Sequence, residues 1–122
     1  MLNREEIFSY IKGKYGAEPE YLWARTPNSA ILRHKHNRKW FAAVVDVTED
    51  KLGLPGKKAI DALLLKCGPM MNSSLIDGKE IFRGYHMNKE HWITVHLGSS
   101  IPAEKVHAMI DMSFDLTQKE NK

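Results

Sequence analysis

A single cysteine, Cys67, has no partner for an internal disulfide, so a covalently stapled framework is excluded and a reducing cytoplasm is the expected compartment. No apolar run approaches the roughly 20 residues that a membrane helix needs, so no membrane partner is expected. The opening MLNREEIFSY carries charges where a secretion signal would carry an apolar stretch. A glycine-rich phosphate loop is also missing, because Gly53-Leu54-Pro55-Gly56-Lys57-Lys58 reads as a turn with two lysines. His34 and His36 share a strand face, with His86 and His91 further on, but there is no cysteine pair and the spacing fits no compact zinc pattern. Lys35, Arg38 and Lys39 would repel a cation there, so no metal is expected. Ser73, Ser74, Ser99 and Ser100 lie in no nucleophile elbow, and Cys67 at the end of an apolar strand reads as a small buried hydrophobe. No cofactor and no catalytic residue is expected. An enzyme would require a deep pocket joining His86, His91 and a carboxylate.

What the chain does have is enough for one domain over residues 1–122. Hydrophobic content of 43% and charged content of 27% suit a globular protein. Net charge is only +3, yet residues 21–99 hold +5 and the two ends together −2, which points to an anionic partner for the middle of the chain.

Asn3 followed by Glu6 forms a capping-box pattern, Ile7, Ile11 and Tyr15 make one apolar stripe with Phe8 beside it, and Gly16 is a natural stop: a first helix. Pro102 suits the first turn of a last helix with Val106, Met109, Ile110 and Ser113 on one face, expected to fray from Thr117 onward. Between them Ala30–Lys35 and Trp40–Val47 flank a polar turn without glycine, a hairpin signal. Ala59–Cys67 reads as a third strand, and Met70–Ile76 as a short helical or turn segment. Residues 91–97 alternate, with His91, Ile93, Val95 and Leu97 facing one way and Trp92, Thr94 and His96 the other. The expected fold is α+β, two terminal helices packed on one face of an antiparallel sheet whose other face is open.

Two constellations stand out. Six of the seven positions from Arg33 to Lys39 are Arg, Lys or His, and the seventh is Asn37. Arg33, Lys35, Arg38 and Lys39 suit phosphates, and Asn37 suits a base edge or sugar. A charged turn is equally what solvation favours on a protein that binds nothing. Lys57, Lys58, His86 and Lys89 would extend the positive patch. The second constellation, Gly84-Tyr85-His86-Met87-Asn88-Lys89-Glu90-His91-Trp92, is dense in aromatic and hydrogen-bonding groups. It reads either as an irregular entry into a strand or as part of a ligand face. On the open face, Trp92, Thr94 and His96 form an alternative site for a protein or small ligand; the plainer reading is that a loop covers Trp92 and makes a second, smaller core.

The segment Gly84–Lys89 with His91-Trp92 and Thr94-Val95 resembles the hallmark of the MmcQ/YjbR family. Asn37-Arg38-Lys39-Trp40-Phe41-Ala42, Leu65-Lys66-Cys67 with Pro69, and Ile110-Asp111 with Ser113-Phe114-Asp115-Leu116 are similar to its other blocks. The resemblance implies a bacterial protein with a CyaY/frataxin-like α-β-α sandwich that binds DNA through a double wing; the expected function is that of a monomeric DNA-binding regulator. One wing would be His36-Asn37-Arg38-Lys39, and the second the Lys57-Lys58 turn or the segment from His86 to Lys89. Frataxin-like iron handling is not implied, since the first helix sets only Glu5 and Glu6 against Arg4, Lys12 and Lys14.

Overall fold

The computed structural model describes residues 2–68, 74–85 and 90–118. Helix α1 (Arg4–Tyr15) begins where the sequence expects it: the Asn3 side chain accepts from the Glu6 backbone amide, the Glu6 carboxylate accepts from the Asn3 amide, and Gly16 ends the helix at φ 70°. Five antiparallel strands follow, β1 (Ala30–Arg33), β2 (Trp40–Thr48), β3 (Ala59–Lys66), β4 (Ile81–Arg83) and β5 (Trp92–His96), in the order β1-β2-β3-β5-β4. Helix α2 (Ala103–Gln118) closes the description. Both helices pack on one face of the sheet.

That face is apolar and closely covered. Ile7 and Ile11 of α1 and Val106, Met109 and Ile110 of α2 meet Val44, Leu63, Leu65, Ile93 and Val95 from the strands, together with Cys67 and Leu97. Arg4 ties the start of α1 to the sheet, donating to Asp61 at 2.8 and 3.0 Å and to Asp46 at 3.0 Å. The helices are also latched to each other. Asp111 of α2 accepts from the hydroxyls of Tyr10 and Tyr15 and from Lys14 Nζ, at 2.6 to 3.0 Å. Burial works against ionisation of Asp111, but Lys14 and the two phenols outweigh it and hold the carboxyl below its ordinary range.

Four details differ from the expectation. Strand β4 was not anticipated, because three residues are too few to show a period. A 3-10 turn, Glu49–Leu52, precedes the Gly53–Lys58 segment. The hairpin strand β1 stops at Arg33 rather than Lys35. Helix α2 does not fray at Thr117, which is 2% exposed and held by His34. The short segment expected at Met70–Ile76 falls largely outside the described residues.

The most consequential irregularity is a β-bulge. Leu32 pairs with Ala42 and Arg33 with Trp40, so Phe41 is an extra residue in β2. Phe41 therefore turns into the helix-covered core alongside Ala42, and Trp40 is thrown onto the opposite face. Ser113 fills the irregularity: its hydroxyl donates to the Phe41 carbonyl at 2.5 Å and accepts from the Lys66 amide at 2.9 Å. A serine on the apolar stripe of α2 is thus explained by the polar atoms the bulge leaves over.

Candidate nucleic-acid interface

The turn between β1 and β2 closes without glycine because Arg38 takes the left-handed conformation, φ 65°. Its backbone is pinned by His34 N–H to the Lys39 carbonyl at 3.0 Å and Arg38 N–H to the His34 carbonyl at 3.1 Å. The side chains pin it again, to the end of α2. Asn37 Nδ2 donates to the carbonyls of Thr117 and Gln118, at 2.9 and 3.2 Å, while its Oδ1 accepts from the Lys39 amide. His36 Nε2 donates to the Gln118 carbonyl at 2.9 Å. The Thr117 hydroxyl gives its proton to the Ser113 carbonyl, so His34 Nε2, 2.8 Å away, is the donor in that pair.

There is a physical reason for a basic turn at this place. The last carbonyls of α2 have no helical partners and carry the negative end of its macrodipole, and its last turn holds no basic residue of its own. Asn37 and His36 supply donors, and the surrounding cations complement the dipole.

This arrangement sorts the residues singled out from sequence. Arg33 is committed: its guanidinium grips Glu20 in a two-point pair at 2.6 and 3.0 Å, is only 19% exposed, and holds the Glu20 carboxyl below its ordinary range. Asn37 is committed to the helix end. Lys35 and Arg38 are exposed on the outer side of the turn, with Lys39 half-buried beside them. Lys57 and Lys58 are exposed, but they follow the far end of β2, and eight residue steps at about 3.3 Å place them some 26 Å from the turn. They do not extend the same patch. His86 and Lys89 lie outside the described residues.

The open face carries its own cluster. Ile31, Ala43 and Leu64 form a buried floor, with Trp40, Val45, Tyr85 and Trp92 packed against it. Trp23, from the exposed connection before β1, meets Trp40 edge-on at 5.7 Å and 73°. Trp23, Trp40 and Tyr85 line a concavity of about 470 Å³ over Ala43, Val45 and Leu64. All three tryptophans of the chain are on this side. The sequence reading of Trp92, Thr94 and His96 as one site needs revision. Thr94 is fully buried, accepting from the Tyr85 amide and donating to the Arg83 carbonyl, both at 2.9 Å. His96 is at the other end of β5. Trp92 instead joins Trp40 and Tyr85, which the sequence reading did not place with it.

Gly84 explains one motif position. A Cβ there would come within 2.8 Å of the Trp92 Cβ and 3.0 Å of its carbonyl oxygen, so the glycine lets the chain pass against β5 and deliver Tyr85 to the face. Among the described residues no group of three or more His, Cys, Asp and Glu side chains converges, and no helix is long and apolar enough to cross a membrane.

A family model described as YjbR matches residues 12–116. The uncharacterised YyaQ protein of Bacillus subtilis strain 168 is 46% identical over 118 residues, covering 97% of this chain and 100% of that protein. A crystal structure of a protein from Pseudomonas syringae superimposes with a TM-score of 0.92 at 40% identity, covering 95% of this chain and 99% of that one. A crystal structure from Deinococcus radiodurans matches with a TM-score of 0.74 at 20% identity, over 98% of this chain and 81% of that one, a likeness of fold alone.

Proposed function

The chain belongs to the YjbR family, and on that premise we propose that it is a non-enzymatic, monomeric DNA-binding protein of the cytoplasm that grips phosphates with the turn between β1 and β2. The observation that carries this reading is the clamped turn. Lys35 and Arg38 are exposed with Lys39 beside them, on a loop held to α2 by His34, His36 and Asn37. Cations presented on a fixed backbone lose less freedom on binding than cations on a loose loop. The role proposed for Arg33 and Asn37 is to hold that turn in shape rather than to touch DNA. Of the two wings that the family resemblance implies, the first is this turn. The Lys57-Lys58 turn is at the other end of β2 and does not lie beside it.

Three phosphate contacts set the scale. Binding should weaken roughly 40-fold between about 50 and about 200 mM salt, from a slope of about −0.9 per contact. The test is a salt series on the full chain and on a Lys35→Gln, Arg38→Asn, Lys39→Gln variant, Asn being chosen because it tolerates the left-handed backbone at position 38. The variant should bind more weakly on every DNA sequence and show a nearly flat salt dependence. Unchanged affinity would remove the turn as the contact.

A second reading, a module for a protein or small ligand on the open face, is favoured by the concavity between Trp23, Trp40 and Tyr85.

A further inference from the structure

The clamped turn and the open face meet at one end of the sheet. Trp40 is the first residue of β2, immediately after the turn. Lys66, the last residue of β3, pairs with Trp92, the first of β5, and alternates with Leu64, so it shares the open face. Tyr85 follows β4, and its amide donates to the Thr94 hydroxyl, so the chain folds inward over the face rather than outward past β5. The end of the face therefore carries Trp40, Lys66 and Trp92 on three neighbouring strands, with Tyr85 set back over Thr94 and the floor. At about 4.8 Å per strand the row spans some 10 Å from the turn outward.

We infer that the nucleic acid this protein takes is unpaired, its bases stacking on Trp40, Trp92 and Tyr85 while Lys66 and the cations of the turn hold its phosphates. This deepens the DNA-binding reading and rests on it. Three aromatic rings stand on an aliphatic floor, each with part of its surface still accessible, and a base stacks on a ring only when it is out of the duplex. A duplex would meet the turn but would offer the row only its groove edges and backbone. Charge agrees with an anionic strand: Glu20 is matched by Arg33 and Asp46 by Arg4, and Lys66 lies in the row with the basic turn at its end. Trp23 stands across Trp40 at near right angles and closes the row on the β1 side.

The probes are a short labelled oligothymidine, an abasic sugar–phosphate strand of the same length, and a mixed duplex, each titrated against the full chain at low salt. Oligothymidine should bind more tightly than either of the other two. Trp92→Leu should cost about 5- to 150-fold on oligothymidine, the range for one stacked base, and leave the abasic strand and the duplex unchanged. Trp92→Phe should recover most of the loss; a merely structural role for Trp92 would instead weaken the abasic strand and the duplex along with oligothymidine. Equal binding of oligothymidine and the abasic strand would overturn the inference while the turn reading stood, provided the turn variant weakened both. If no probe bound, both readings would fall. Concentration-dependent self-association abolished by Trp92→Leu, without a preference for oligothymidine, would assign the face to a second copy and overturn the inference as well.

Discussion

The two faces of the sheet are built from the same five strands, yet they end differently. On the helix-covered face Leu63, Leu65, Ile93 and Val95 are closed off completely, each at 0% exposure under α1 and α2. On the open face Ile31, Ala43 and Leu64, with Thr94, are buried, while the larger side chains around them, Trp40, Tyr85 and Trp92, are covered only in part. Stability alone would put small or polar residues on a solvated sheet face. Large rings there, beside lysines, are what a stacking surface requires. The covered face makes the fold, and the open one is where the proposed binding is to be tested.

Phe41 and Trp40, adjacent in sequence and on opposite faces, give the sharpest way to break this contrast. Phe41→Ala empties a fully buried ring and should cost about 3 to 5 kcal/mol of unfolding free energy in a denaturant melt. Trp40→Ala should cost clearly less stability but weaken oligothymidine binding. Equal stability losses with no binding effect would make the two faces equivalent cores.

Next in size is the latch between the helices. Asp111→Ala removes the acceptor shared by Tyr10, Tyr15 and Lys14 and should destabilise by about 1 to 3 kcal/mol without changing nucleic-acid affinity. Its pH signature follows from the depressed carboxyl. The stabilisation is complete above the ordinary carboxylate range and is lost as pH falls through the lowered folded value, so the wild type should lose Tm in acid faster than Asp111→Ala.

His34 gives a smaller effect in a different window. Burial depresses its pKa, and His36 and Lys39 add to this against the opposing Phe114 carbonyl. The neutral ring is the docked form, so its contribution is full above about 6.5 and declines as pH falls below that value. The turn should loosen from α2 on acidification, seen as amide shifts at residues 34–39 and 117–118, and His34→Asn should abolish that pH dependence. The smallest effect belongs to the other basic turn: Lys57→Gln with Lys58→Gln should leave affinity within about twofold, since they are some 26 Å away.

Much of this fold was legible from local pattern. The capping box at Asn3 and Glu6, the stop at Gly16, the stripe of α2 and the alternation of β5 are all set by neighbours within a few residues, so the sequence reading located them. Strand β4 was not legible, being too short to carry a period. The candidate site was legible only in part, for long-range reasons. Arg33 and Asn37 were read as ligand contacts because their partners, Glu20 and the carbonyls at the end of α2, are 13 and 80 or more residues away. Trp40 was missed because strict alternation in β2 would place it with Ala42 and Val44, and only the bulge at Phe41 reverses it. Three tryptophans in a chain this short were the available signal, and they needed the bulge to bring them to one face.

The measurement closest to the central claim is an amide-shift NMR titration of the full chain with a short unpaired strand, at about 50 and then about 200 mM salt. The account predicts shifts at residues 35–40, at Lys66, and at Tyr85 and Trp92, shrinking together at the higher salt. Shifts confined to the Lys57-Lys58 turn, or no shifts at the lower salt, would contradict it.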